Sequence, residues 1–222
     1  MQLDHVFVFV PAGGDAAARA LEALGFVETY RRAHPGQGTA NRCYALENAF
    51  LELLWLTDAS EATSPPIRRT GLAARAPGGS PGACPFGLAW RAPQGSADPV
   101  ETWPYRPPYL PPSLSIPVAV ASDDPRLPMC FRSPGTDAPI HWPTDRRGAL
   151  QAAAGLRRLL RPILELPPGS PALPSALTGP DGLVTVRAGD RGHRLGLPIE
   201  RDDGAVRVLW APDWTWGPGG DR

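Results

Sequence analysis

Two stretches decide how this chain folds: Leu3-Asp4-His5-Val6-Phe7-Val8-Phe9-Val10 and Ala49-Phe50-Leu51-Glu52-Leu53-Leu54-Trp55-Leu56. Both are rich in β-branched, aromatic and leucine side chains and read as strands. An ionisable residue interrupts each. Alternation puts His5 on the face of Leu3, Phe7 and Phe9, and Glu52 on the face of Phe50 and Leu54. Buried alone, the Glu52 carboxylate would cost several kcal/mol or move strongly toward its protonated form. Two readings follow. In one, both side chains enter a shared concavity, where an imidazole and a carboxylate can bind a divalent metal or act as acid and base. In the other, Glu52 faces water from an edge strand and His5 is satisfied by a backbone carbonyl.

Between these stretches, Pro11-Ala12-Gly13-Gly14 ends the first strand, and Asp15 is a suitable N-cap for a helix over residues 16–24. Ala17, Leu21 and Leu24 share one helical face, and Gly25 stops the helix. Residues 26–30 read as a second strand, 34–39 as a loop, and 42–46 and 49–56 as two strands around a Glu47-Asn48 turn. A turn centred there makes paired residue numbers sum to 95, so Cys43 faces Glu52 and lies on its side of the sheet. A buried thiol used only for packing is the rival reading for Cys43. In the loop, Gly36 and Gly38 permit close backbone approach to a ligand, while Thr39, Asn41 and Arg42 offer donors. Arg42 suits a substrate carboxylate or phosphate. The rival reading is a glycine turn that caps its neighbours.

Leu3-Asp4-His5-Val6, the helix ending in Leu24-Gly25-Phe26, and Phe50-Leu51-Glu52-Leu53-Leu54 together resemble the vicinal oxygen chelate superfamily. His34-Pro35-Gly36-Gln37-Gly38-Thr39-Ala40-Asn41-Arg42 is similar to the loop of bacterial glyoxalase-like domain proteins. The resemblance is closest over residues 2–57. It implies an α+β fold of paired βαβββ modules, their curved mixed sheets surrounding a cavity. It puts His5 and Glu52 at the metal-ligand positions of the first module, with Glu52 also catalytic. His34, Thr39, Asn41, Arg42 and Cys43 become the substrate-binding set. One divalent metal ion is the implied cofactor. The superfamily holds lyases, epimerases, dioxygenases, thiol transferases and non-catalytic binding proteins. A small-molecule enzyme of carbonyl or enediolate chemistry is therefore expected, with a binding or sequestering protein of the same fold as the alternative.

The rest of the chain departs from that pattern. Phe86-Gly87-Leu88-Ala89-Trp90 reads as the opening strand of a second module spanning residues 85–212, after a first module of 1–58 and a connector of 59–84. It carries no His, and no later strand has an internal Glu like Glu52; His141 and Glu200 are the nearest substitutes. Strands are expected at 114–121, 129–132, 183–187, 194–199 and 205–210, a helix over 146–160, and a tail from 213. The proline-aromatic segment 99–112 reads as extended chain, a connector or a lid. Trp90, Trp103 and Trp142 are candidates for an aromatic pocket wall.

Composition narrows the functional classes. The 222 residues carry 22 basic and 22 acidic side chains, and every basic one is Arg. Lysine-based Schiff-base chemistry and a P-loop are thereby excluded, and zero net charge argues against a nucleic-acid partner. No apolar run approaches a membrane span. The N-terminus lacks a basic leader, and the three cysteines show no paired spacing, so reduced thiols in a cytoplasm are expected. The expected partner is a small molecule, with the chain a monomer or homodimer.

Overall fold

The computed structural model describes residues 1–93, 95–190 and 192–217. Strand β1 (Gln2–Phe9) leads into helix α1 (Asp15–Ala23) and then strands β2 (Tyr30–His34), β3 (Thr39–Ala45) and β4 (Phe50–Leu56). Helices α2 (Ala59–Thr63) and α3 (Leu72–Arg75) lie in the connector to β5 (Phe86–Arg91), β6 (Thr102–Tyr105), β7 (Ile116–Ala119) and β8 (Met129–Arg132). These eight strands form one sheet in the order β2-β3-β4-β1-β5-β8-β7-β6. Its two halves share a pattern: β1 runs parallel to β4, β5 runs parallel to β8, and β1 joins β5 antiparallel at the centre. The α+β fold of curved mixed sheets is the expected one. The second half repeats the strand order without a helix between β5 and β6.

After α4 (Thr144–Arg147) comes a separate sheet of β9 (Leu156–Leu159), β10 (Ile163–Leu166), β11 (Thr185–Ala188), β12 (Arg194–Arg201), β13 (Val206–Ala211) and β14 (Thr215–Trp216), with α5 (Ser175–Thr178) between β10 and β11. The expected second module of 85–212 thus divides between two sheets. The helix expected over 146–160 stops at Arg147, because Gly148 and Gly155 take φ of 55° and 64° and break the run. Leu156 and Leu159 then serve as buried strand residues. The expected strand at 26–30 begins instead at Tyr30, since Phe26 is drawn into the core behind Gly25. Gly14, not Asp15, caps α1, with Asp15 as its first residue. Part of the expected tail, Thr215–Trp216, pairs with β13. No helix among the described residues is long and apolar enough to cross a membrane.

The two faces of the large sheet have different work. One face carries Val6, Val8, Leu51, Leu53, Leu88 and Trp90, all at most 1% exposed, and packs with α1 and the second sheet in one continuous core. The other carries Phe7, Phe9, Leu54, Ala89 and Phe131, and packs with Leu72 and Tyr105. His5 and Glu52 also lie on this second face.

Candidate functional site

A cavity of about 450 Å³ opens on that second face, with His5 and Glu52 in its lining, a volume suited to a small organic ligand. The register explains how two residues far apart in sequence meet. β1 and β4 are neighbours; His5 pairs with Phe50, and Phe7 with Glu52. His5 Nε2 stands 3.5 Å from Glu52 Oε2, and both residues are buried. The reading of Glu52 as a solvent-facing edge residue is therefore wrong: β4 is an interior strand, flanked by β3 and β1.

Asp4 also lines the cavity, contrary to simple alternation. The β1–β5 ladder slips between Leu3 and His5, a bulge that turns Asp4 and His5 to the same side. Leu3 is thereby moved to the opposite core, away from the face expected for it. Asp4 Oδ2 lies 2.7 Å from His5 Nδ1, and Asp4 Oδ1 accepts from Arg91 Nη1 at 3.3 Å. Burial opposes the Asp4 charge, but its bonds to His5 and Ser133 and the Arg91 guanidinium outweigh it, holding the carboxyl below its usual value.

An ionised Asp4 accepts only, so His5 Nδ1 is the donor of that bond. His5 Nε2 and Glu52 Oε2 then face each other at 3.5 Å, longer than an ordinary hydrogen bond. Asn41 Nδ2 donates to the other carboxylate oxygen, Glu52 Oε1, at 2.6 Å. The amide oxygen of Asn41 is buried without a partner, an acceptor with capacity for a ligand donor.

A second hydrogen-bonded chain supports His34. Tyr105 Oη donates to Gln37 Oε1 at 2.6 Å, Gln37 Nε2 donates to Thr39 Oγ1 at 2.7 Å, and Thr39 Oγ1 lies 2.9 Å from His34 Nδ1. With the Gln37 hydrogen on one lone pair of Thr39 Oγ1, the hydroxyl proton is free to point at Nδ1, and in that tautomer His34 presents Nε2–H as a donor. Burial, only partly offset by Glu52, lowers the His34 pKa and keeps the ring neutral.

The other expected site residues take different places. Thr39 supports His34 but does not line the cavity. Arg42 points to the opposite side of β3, where Asp15 and Glu28 neutralise it. Cys43 pairs with Glu52 as the hairpin arithmetic requires, yet it is fully buried beneath the lining, among Ala45, Phe50 and Trp142. Burial and the neighbouring Glu52 push its thiol well above 9.0, so it is a packing residue. The loop glycines accommodate chain: a Cβ at Gly36 would lie 2.7 Å from Pro108, and one at Gly38 2.1 Å from the Asp58 carbonyl. Of the three tryptophans, Trp142 lines the cavity; Trp90 is in the opposite core. His141 reaches the lining, whereas Glu200 belongs to β12 in the second sheet.

Residues 99–112 build a wall. Within them β6 edges the sheet, and Tyr109 packs on His34 with ring centroids 4.8 Å apart. Asp4, Arg32, Gln37, Tyr105, Tyr109 and Arg146 also belong to this site and escaped sequence reasoning. Alternation through Tyr30, Arg32 and His34 would have found Arg32 had β2 been placed correctly.

Residues 3–96 match the family model of the glyoxalase-like domain, which belongs to the vicinal oxygen chelate superfamily. Residues 3–96 are thus similar to a glyoxalase-like domain. Among curated proteins, none matches the chain. The match spans β1 to β5 and so includes His5, His34, Asn41 and Glu52 of the cavity.

Metal chemistry in such a domain needs a sufficient donor set. In the second half of the sheet, Gly87 and Ala89 of β5 pair with β1, and Met129 and Phe131 of β8 pair with those two; none has a metal-binding oxygen or nitrogen side chain. Among the described residues, no group of three or more His, Cys, Asp or Glu converges as a metal site. His5 and Glu52 are two donors where a catalytic zinc normally has three from protein. This donor set does not fit a catalytic divalent centre.

Proposed function

We propose that this glyoxalase-like domain is a small-molecule enzyme that moves a proton at a carbon next to a carbonyl group. The carrying observation is the buried Asp4–His5–Glu52–Asn41 chain at the cavity lining. Glu52 is the group that takes and returns the proton. His5, oriented by Asp4, shares that proton through Nε2 and lets Glu52 alternate between charged and neutral forms. The Nε2–H of His34 is placed to donate to the carbonyl oxygen as negative charge develops there, and its neutrality spares the site an extra cation.

Supporting this reading, a buried imidazole and a buried carboxylate stand 3.5 Å apart at the cavity lining, close enough for a proton to pass between them once a bound ligand draws them together. The test is deuterium incorporation from D2O into a panel of α-hydroxyketones and 2-oxo acids, followed by NMR. Wild type exchanges the proton next to the carbonyl, and Glu52→Gln slows exchange by about 10²-fold or more. Equal exchange in both proteins overturns the reading. Elemental analysis of the native protein runs alongside: stoichiometric metal that disappears in His5→Ala would replace this proton-transfer scheme by a metal-assisted one.

A second reading has its own observation. The second half of the sheet supplies an apolar wall with no partner for Glu52, which suits a binding or sequestering protein. That reading predicts saturable binding with no exchange in any member of the panel.

A further inference from the structure

Two arginines line this cavity, Arg32 on β2 and Arg146 on α4. Neither makes an ion pair among the described residues; aromatic rings hold both. The Arg32 guanidinium carbon sits 5.2 Å from the Tyr109 ring centre. That of Arg146 sits 3.8 Å from Trp142 and 5.4 Å from Tyr30. Tyr30 and Arg32 are two residues apart on one strand and so share a face, about 7 Å apart along it. The two guanidiniums therefore flank the same Tyr30–Tyr109 rim.

The acids of the cavity do not neutralise them. Asp4 is committed to His5 and Arg91, and Glu52 to Asn41 and His5. Asp137, the third acid in the lining, uses its carbonyl to accept from Trp142 Nε1 and forms no ion pair with either arginine. Arg146 also shares a side-chain hydrogen bond with Tyr30; a guanidinium has five N–H donors, so stacking and that one bond leave the rest of its fork available to an anion. Between that rim and His5 lies Phe50, whose ring is 6.2 Å from Tyr30 and stacks on His5 at 4.4 Å; Phe131 of β8 meets the edge of His5 from the other side, at 5.3 Å.

We infer that the ligand of this cavity is an organic anion, a flat apolar molecule bearing a carboxylate or phosphate group held between Arg32 and Arg146. Its body lies against Phe50, which brings its far end to His5 and Glu52, with Phe131 as the wall beyond them. The inference names the substrate class for the site proposed above and rests on that site being the ligand's. It also reassigns the anion-binding part expected of Arg42, whose charge is used by Asp15 and Glu28.

Calorimetric titration of the full chain tests it with three probes: 3-phenylpropanoate, phenyl phosphate and uncharged 3-phenylpropanamide. Wild type binds at least one anion about tenfold or more tightly than the amide, as expected for charge-assisted hydrogen bonds. The tighter of the two anions identifies the group as carboxylate or phosphate. Arg32→Gln and Arg146→Gln each reduce the preference severalfold, the double variant abolishes it, and Arg42→Gln keeps it. Thermal unfolding of each variant checks that the fold is intact. No preference in wild type, a preference surviving in the double variant, or failure of all three probes to bind at millimolar concentration overturns the inference. Glu52→Gln separates the two proposals: it keeps the anion preference while losing proton exchange.

Discussion

At the scale of single residues, neighbours decide what each group in the cavity can do. Cys43 shows this most sharply. Its register against Glu52 is the one sequence arithmetic yields, but a fully buried thiol next to a carboxylate is held protonated. Burial likewise raises Cys84 and Cys130 to about 12. The expected outcome is that none of the three reacts with iodoacetamide at pH 8 in the folded protein, and all three do in urea; mass spectrometry of the labelled protein checks it. His34 offers a second residue-scale prediction. Thr39→Val removes the hydroxyl that gives Nδ1 its hydrogen bond, so the neutral ring loses its fixed tautomer. Nitrogen NMR of labelled His34 should report mainly the Nε2–H form in wild type and a mixture in Thr39→Val.

At the scale of elements, close packing around the central strands governs tolerance. Gly87 on β5 lies under Phe7 of β1; a methyl there would come within 2.0 Å of the ring. Gly87→Ala should therefore cost about 1–3 kcal/mol in denaturant unfolding and push Phe7 toward the cavity. In the connector, buried Arg75 of α3 donates to the carbonyls of Thr70, Ser122 and Leu127, fastening α3 to the turn before β8. Arg75→Leu strands those acceptors and should lower stability by about 3 kcal/mol, measured by urea midpoints. How legible these elements were in the sequence follows from what fixes them. The β3–β4 hairpin and the placement of Glu52 and His5 rest on local alternation and a tight turn, so both were readable. Asp4 was not, because the bulge that turns it inward depends on pairing with β5, which lies more than eighty residues away. Residues 146–160 misled because leucines and arginines suit either helix or strand; two glycines at positive φ decided for strand.

At the scale of the whole molecule, the proton-binding groups of the cavity make the fold sensitive to acid. Folding depresses the Asp4 value, so its contribution is present above the ordinary carboxylate range and fades as pH falls through the folded value. His34 is also depressed, and the unfolded chain takes up its proton first as pH drops below 6.5; stability falls with pH there as well. Urea midpoints should decline from pH 7 to pH 5 in wild type and decline less in His34→Gln. The second sheet matters at this scale too, because its leucines complete the core that α1 and β1 begin. The two halves of the large sheet, by contrast, have divided their labour: ionisable groups come from the first, and a wall of Ile116, Met129 and Phe131 from the second. Recognition of shape is thereby uncoupled from chemistry. Trimming Met129 or Ile116 would re-cut the mould for a bulkier guest while the Asp4–His5–Glu52 apparatus, on strands of its own, keeps running unaltered.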